Sequence, residues 1–444
     1  MRRIAVLAIT LLGTATAGFA QDTARMDAVV QSFVSNGTFS GTVMVARGSD
    51  VVFTKGYGLA HVERKDANSA ATRFRVASIT KQFTAAAILL LAERGRLTLE
   101  DPVKKHLPNA PASWDAMTIF HLLSHTAGFQ GLATPPPARV PIESPDGSLE
   151  GFVTAAMKHP LEFAPGTTFN YTNSGYFVLG HLIQKLTGQS YERFIQENIL
   201  TPLGLKDTGL ASAANIDTRA RFYNASPNGP VESELPDRVV PNTAAGMYST
   251  AADLLRWQTA LYGGKVVSAA SLAKMTTRSK GDYGLGVYVR NVAGLTVFNH
   301  GGGAPAFANL SYFPDSRTSV AVLGNINVSP GHELAGLLGT LGHGKPVMLA
   351  SERKAIALPA EVLARYAGLY QADGGPPLMV VVEGGQLLLR PTSENSIPLL
   401  AESETMFFIR DLNLQVEFVR DSAGAVTEFI THQGGRQDRA RRIK

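Results

Sequence analysis

Three features of the 444-residue sequence predict an α/β (α+β) chain with more than one domain. Strand-rich runs at 41–46 and 51–56, and again at 308–313 and 319–323, flank a long middle region, 151–275, where helical periods and glycine punctuation dominate. Between Phe83 and Ala92 only Thr84 is polar, so a helix there is apolar on every side and has to be buried, while ten residues are too few to span a bilayer. From about Leu358 onward the text changes to short alternating strands joined by Gly-rich turns, Glu383-Gly384-Gly385 and Ser422-Ala423-Gly424. These predict a small antiparallel barrel of about eight strands or fewer. The length alone exceeds a comfortable single core.

In chain order, MRRIAVLAITLLGTATAGFAQ joins Arg2 and Arg3 to an apolar run at 4–12 and to the small residues Gly18 and Ala20. This reads as a secretory signal, residues 1–20, and directs the mature chain to the periplasm or the medium. With no cysteine there is no thiolate nucleophile, Cys-ligated zinc, disulfide or lipoprotein anchor, so an enzyme here works with oxygen and nitrogen groups. The formal charge of +5 drops by two when Arg2 and Arg3 leave. Part of the remainder sits in the tail GGRQDRARRIK without a basic, aromatic-lined stripe in the body, which argues against a nucleic-acid partner. A helix at 24–34 precedes a hairpin turning at Gly48-Ser49-Asp50; the buried helix ends at Gly95, and ASWDAMTIFHLLSHTAGF reads as helical up to Ser124. The loop ATPPPARVPIESPDG is expected as a wall or lid. The expected domains are 21–350 and 358–444, with SERKAIALPAE contributing a linker at 351–357.

The chemistry concentrates in three places. Ser78-Ile79-Thr80-Lys81 opens the buried helix; a spacing of three sets the Lys81 ammonium one turn above the Ser78 hydroxyl, and the helix N-terminus favours an oxyanion there. That is a serine nucleophile beside an amine. Two other serines share the spacing, Ser271 with Lys274 and Ser351 with Lys354, but one sits on an amphipathic surface helix and the other in polar linker text. Tyr171-Thr172-Asn173 forms a polar turn just ahead of an amphipathic helix and offers a phenol and an amide, or alternatively an Asn173 helix cap. His300-Gly301-Gly302-Gly303 follows a strand end, where three glycines let backbone N–H groups approach a ligand. His432-Gln433-Gly434 imitates the spacing without that setting.

In this order and separation the three motifs resemble those of the serine β-lactamase and penicillin-binding-protein superfamily. The Tyr-x-Asn motif is similar to the class C branch with its esterase and D-aminopeptidase relatives, and LLSHTAGF, APGTTFNYTNSGY and FPDSRTSVAVLGN are similar to family text, so the resemblance spans residues 25 to 345. It implies an antiparallel sheet flanked by helices beside an all-helical subdomain, with the N-terminal hairpin a neighbour of the strands at 283–323. The C-terminal part is similar to the lipocalin-like domain of such hydrolases. The resemblance further implies an acyl-enzyme at Ser78, proton removal shared by Lys81 and Tyr171, and Asn173 holding the lysine and the substrate. The N–H groups of Ser78 and Gly303 would form the oxyanion hole, with no metal or cofactor. Close cations would depress the phenol and burial would depress the amine, leaving the base unassigned between them. The third motif departs from the β-lactamase form: where a lysine is usual the chain has His300, mostly neutral at pH 7, so recognition of a substrate carboxylate is weakened. The expected activity is therefore hydrolysis of a small-molecule ester or D-amino-acid amide or peptide, with a β-lactamase, a D-alanyl-D-alanine carboxypeptidase or a catalytically silent penicillin-binding sensor as alternatives. The oligomeric state stays open.

Overall fold

The computed structural model describes residues 10–131, 144, 146–211, 217–226, 229–233, 243–303, 307–327, 330–372, 375–391, 396–410, 413–433 and 436–443. Most of the proline-rich loop, including Pro135 to Pro137, lies outside the described residues, as do the first nine residues of the expected signal. The chain divides into two compact units, residues 1–290 with 295–343, and residues 291–294 with 344–444.

The first unit is a mixed α/β layer structure. Helix α1 (Thr10–Ser35) precedes the hairpin β1 (Gly41–Arg47) and β2 (Asp50–Tyr57), whose turn falls where Gly48 supplies a positive φ. After the helical region come β3 (Tyr288–Val292), β4 (Leu295–Gly302), β5 (Phe307–Phe313) and β6 (Thr318–Gly324). Together they form one six-stranded sheet in the order β3-β4-β5-β6-β1-β2. Strand β1 pairs antiparallel with both β2 and β6, Val43 opposite Val322 and Lys55, so the hairpin closes a sheet whose other strands lie far away in sequence. Alternation sends Met44, Ala46, Leu310, Ala321 and Leu323 into the main core. The opposite face receives the helix Gly331–Gly342, where Gly339 lies against Phe313 and Gly342 against Thr318 and Val45.

Helix α2 (Thr80–Glu93) is the centre of that core. Phe83, Ile88, Leu89 and Leu91 are buried, each contributing about 1.5–3 kcal/mol of burial free energy. Phe83 stacks on Trp257 at 4.0 Å, and the one polar residue of the run, Thr84, is satisfied by Thr243 O at 2.6 Å and Tyr191 Oη at 2.7 Å. Around it pack α3 (Ile119–Leu123), α4 (Leu149–Ala156), α5 (Ser174–Thr187), α6 (Tyr191–Ile195), α7 (Ala251–Tyr262) and α8 (Ala269–Thr276). The segment before Ser124 is less helical than expected: a short turn at Ala112–Trp114 breaks off, and Thr118 caps a new helix by accepting from His121 N–H at 3.3 Å.

The second unit holds a closed barrel of eight strands running from Gly368–Ala372 to Arg436–Arg442, the last pairing back onto the first. Its interior is filled by rings: Tyr366, Tyr370, Phe407, Phe418 and Phe429 are all buried and in mutual contact. His432 and Gln433 belong to a barrel strand, where His432 pairs with Glu417 at 2.9 Å, and Gly434 lies outside the described residues. Part of the expected linker is tied to this unit, with Arg353 on Glu402 at 2.8 Å and Ile356 N–H on Ala401 O at 2.8 Å.

Candidate active site

Ser78 lies in a tight turn, Ala77–Ile79, immediately ahead of α2, which begins at Thr80 rather than at the serine. The turn is pinned by Val76 N–H donating to Met247 O at 2.9 Å and by Thr80 Oγ1, which donates to Ala77 O at 2.6 Å and accepts from Met247 N–H at 3.1 Å. Ala77 has φ +43°, a left-handed conformation costing on the order of 1–3 kcal/mol in a residue with a Cβ, and it presents Ser78 half-buried at the head of the helix. Gly302 sits against this turn. A Cβ there would stand 2.5 Å from Val76 O, 2.8 Å from Ala77 Cβ and 3.2 Å from Ser78 N, so only glycine lets the third motif lie alongside the first.

The spacing of three does stack the amine on the hydroxyl. Lys81 is fully buried; its Nζ donates to Asn173 Oδ1 at 2.8 Å and Ala244 O at 3.1 Å and lies within hydrogen-bond distance of Ser78 Oγ, at 3.1 Å. Burial disfavours the ammonium and holds the lysine well below its ordinary 10.5. Asn173 begins α5 with its backbone alone, the carbonyl accepting from Tyr176 N–H at 3.0 Å, while its side chain makes no cap and turns to Lys81 instead. The Tyr171 phenol is close enough to Ser78 for the hydroxyl to act on its titration, and its ring centroid lies 4.8 Å from Lys81 Nζ. The phenol does not titrate downward as the sequence suggested: desolvation dominates and raises it, with the Ser78 hydroxyl opposing.

His300 is buried, with Nδ1 2.7 Å from Gly301 O and Nε2 3.0 Å from Tyr283 Oη. A carbonyl only accepts, so the proton sits on Nδ1 and Nε2 accepts from the tyrosine. Burial, then the charge of Lys81, pushes His300 well below 6.5, leaving a neutral imidazole where a cation is usual. Gly301 continues β4 with His332 behind it, and Gly303 follows the strand end, exposed and with open space at its Cα. The other SxxK serines are set apart: Ser271 lies in α8, capped by Ser268, with Lys274 exposed, and Ser351 in the turn Ala350–Glu352.

Sequence reasoning missed an aromatic enclosure around the phenol. His125 lies 4.3 Å from the Tyr171 ring, Tyr288 stacks on it at 6.2 Å, and Tyr283 meets it edge-on at 6.1 Å. The Arg290 guanidinium covers Tyr288 at 3.8 Å. Tyr283 and Tyr288 reach the site because Gly286, at φ +76°, lets the chain pass where a Cβ would stand 2.7 Å from Lys81 O. The glycine-rich text GDYGLGVY was the available signal.

Comparison with known proteins bears on this geometry. The family model described as Beta-lactamase matches residues 26–341, and one described as a domain of unknown function, DUF3471, matches residues 352–441. The chain is 29% identical over 441 residues to Penicillin-binding protein 4* of Bacillus subtilis (strain 168), covering 91% of this chain and 95% of that protein. Among solved structures it is similar to a D-stereospecific amidohydrolase from Streptomyces sp., with TM-score 0.59, 25% identity and coverage of 73% of this chain and 99% of that one. It is also similar in fold to EstCE1, a hydrolase with promiscuous acyltransferase activity, with TM-score 0.63, 23% identity and coverage of 74% and 99%.

Proposed function

The chain belongs to the Beta-lactamase family, and from that membership we propose an exported serine hydrolase that forms an acyl-enzyme at Ser78 on an ester or D-amino-acid amide substrate. The observation that carries this reading is the buried Lys81 amine held among Ser78 Oγ, Asn173 Oδ1 and Ala244 O. A neutral amine has two N–H donors and one lone pair. The amide oxygen and the carbonyl take the donors, so the lone pair is left for the Ser78 hydroxyl proton. Lys81 thus acts as the base. Tyr171, kept protonated by burial, gives its proton to the departing alcohol or amine and regains one from Lys81. Ser78 Oγ bonds to the carbonyl carbon as the leaving-group bond breaks; water then attacks the ester, its proton taken by the same pair, and the serine is released. Ser78 and Gly303 N–H groups serve the oxyanion.

The substrate preference rests on His300. A neutral, Tyr283-bound imidazole offers no fixed charge to a carboxylate, which favours esters and D-amino-acid amides over β-lactams. Rates with a nitrophenyl ester, a D-alanyl amide and a chromogenic cephalosporin test this directly: the ester or the amide should turn over at least about tenfold faster than the cephalosporin, whereas a preferred cephalosporin would reverse the assignment. Export is proposed on the leader at 1–20; among the described residues no helix is long and apolar enough to cross a membrane.

A further inference from the structure

The backbone on both sides of Tyr171 is tied to one residue that the proposed mechanism leaves unused. Asn170 N–H donates to His125 O at 2.9 Å, and Thr172 N–H donates to His125 Nδ1 at 3.4 Å. The imidazole packs on the phenol ring at 4.3 Å and against Tyr176 at 5.1 Å and Tyr283 at 4.6 Å. His125 itself has φ +58°, the left-handed region in which histidine is one of the few tolerated side chains. That twist points its carbonyl one way and its ring the other, so each reaches a different peptide N–H. The segment is braced further along by Gly166 N–H on Thr126 O at 2.7 Å and Glu162 N–H on Gly128 O at 2.7 Å.

Because Nδ1 accepts from Thr172, the neutral ring carries its proton on Nε2, an atom that is buried without a hydrogen-bond partner among the described residues. An unpaired buried polar atom is a cost that a phenylalanine would avoid, so the position is using Nδ1 for something. We propose that His125 is a positioning residue for Tyr171: it grips the loop on either side of the phenol and sets the angle at which the hydroxyl meets Ser78. It makes no hydrogen bond to Ser78 among the described residues. The inference rests on Tyr171 serving the Ser78 chemistry, and the loop-fixing part stands independently of any activity.

The test uses the full chain with His125→Phe, which keeps ring packing and loses the acceptor, and His125→Asn, which tolerates the left-handed backbone and returns an acceptor oxygen. Two readouts separate the possibilities. Hydrogen–deuterium exchange should speed up about tenfold or more at 170–174 in His125→Phe and return toward wild type in His125→Asn. Unchanged exchange in His125→Phe overturns the grip, whether or not the protein hydrolyses anything. With a nitrophenyl ester, kcat should fall about 10- to 100-fold in His125→Phe at little change in KM, and about threefold or less in His125→Asn. In a Tyr171→Phe background His125→Phe should cost less than about twofold more. A full, additive loss there means that His125 acts through something other than Tyr171 and overturns the proposal. Absence of both ester and D-alanyl amide turnover in the wild type, with exchange responding as expected, refutes the hydrolase reading and leaves the grip standing.

Discussion

The surroundings of Ser78 and the interior of the barrel bury different kinds of residue. Around Ser78 the first unit encloses a lysine, two histidines and several phenols at almost no exposure, and it keeps Ala77 and His125 in left-handed backbone. The barrel interior is aromatic and aliphatic, while charged side chains of this unit pair at partly or fully exposed positions, such as Arg439 with Glu428 at 2.7 Å and Arg390 with Glu383. Buried ionisable groups cost stability and shift their pKa values; packed rings add stability and carry no reactivity. The difference assigns chemistry to one unit and cohesion to the other.

The contrast can be broken from either side. The largest effect is expected from Lys81→Met, which keeps the bulk and removes the amine: kcat/KM for the preferred ester should fall on the order of 10³-fold, and the wild-type acid limb, whose midpoint lies well below 10.5, should vanish with it. Gly302→Ala comes next. Its methyl group has to displace the Ser78 turn, and a loss of about 10- to 100-fold in kcat is expected with the fold retained by circular dichroism. In the barrel, Phe418→Ala should lower stability by about 3–5 kcal/mol in denaturant titration while leaving kcat within about twofold, so a comparable loss of activity would erase the contrast. The smallest effect is on pH dependence. His125 and His300 are both held below their ordinary 6.5, so stability is fully present above that value and falls as pH drops below it, by up to about 1.4 kcal/mol per pH unit for each. Denaturation midpoints measured at pH 7 and pH 5 should show the loss in the wild type and less of it in His300→Asn.

Much of this was legible before the structure. The run 83–92 announces a buried helix because nothing but Thr84 interrupts it, and the Gly48-Ser49-Asp50 turn announces a hairpin. The barrel follows from period-two alternation between Gly-rich turns. Pairing of β1 with β6 was not readable from periodicity, since the two lie some 280 positions apart and only the family resemblance joined them. The start of α2 was misplaced because a left-handed Ala77 has no sequence signature. His125, Tyr283 and Tyr288 were overlooked for a related reason: they sit in turns and at a strand end, where side-chain direction depends on glycines such as Gly286 rather than on any repeat. The phenol's direction of titration was misjudged because burial of Tyr171 is a tertiary property, and it outweighs the lowering influence of Ser78.

The most direct test of the whole account is where a covalent serine probe attaches. After treatment with a fluorophosphonate, peptide mass spectrometry should find a single adduct on the peptide carrying Ser78, absent in Ser78→Ala and much slower to form in Lys81→Met. An adduct on another serine, or ester turnover that survives in Ser78→Ala, would contradict it.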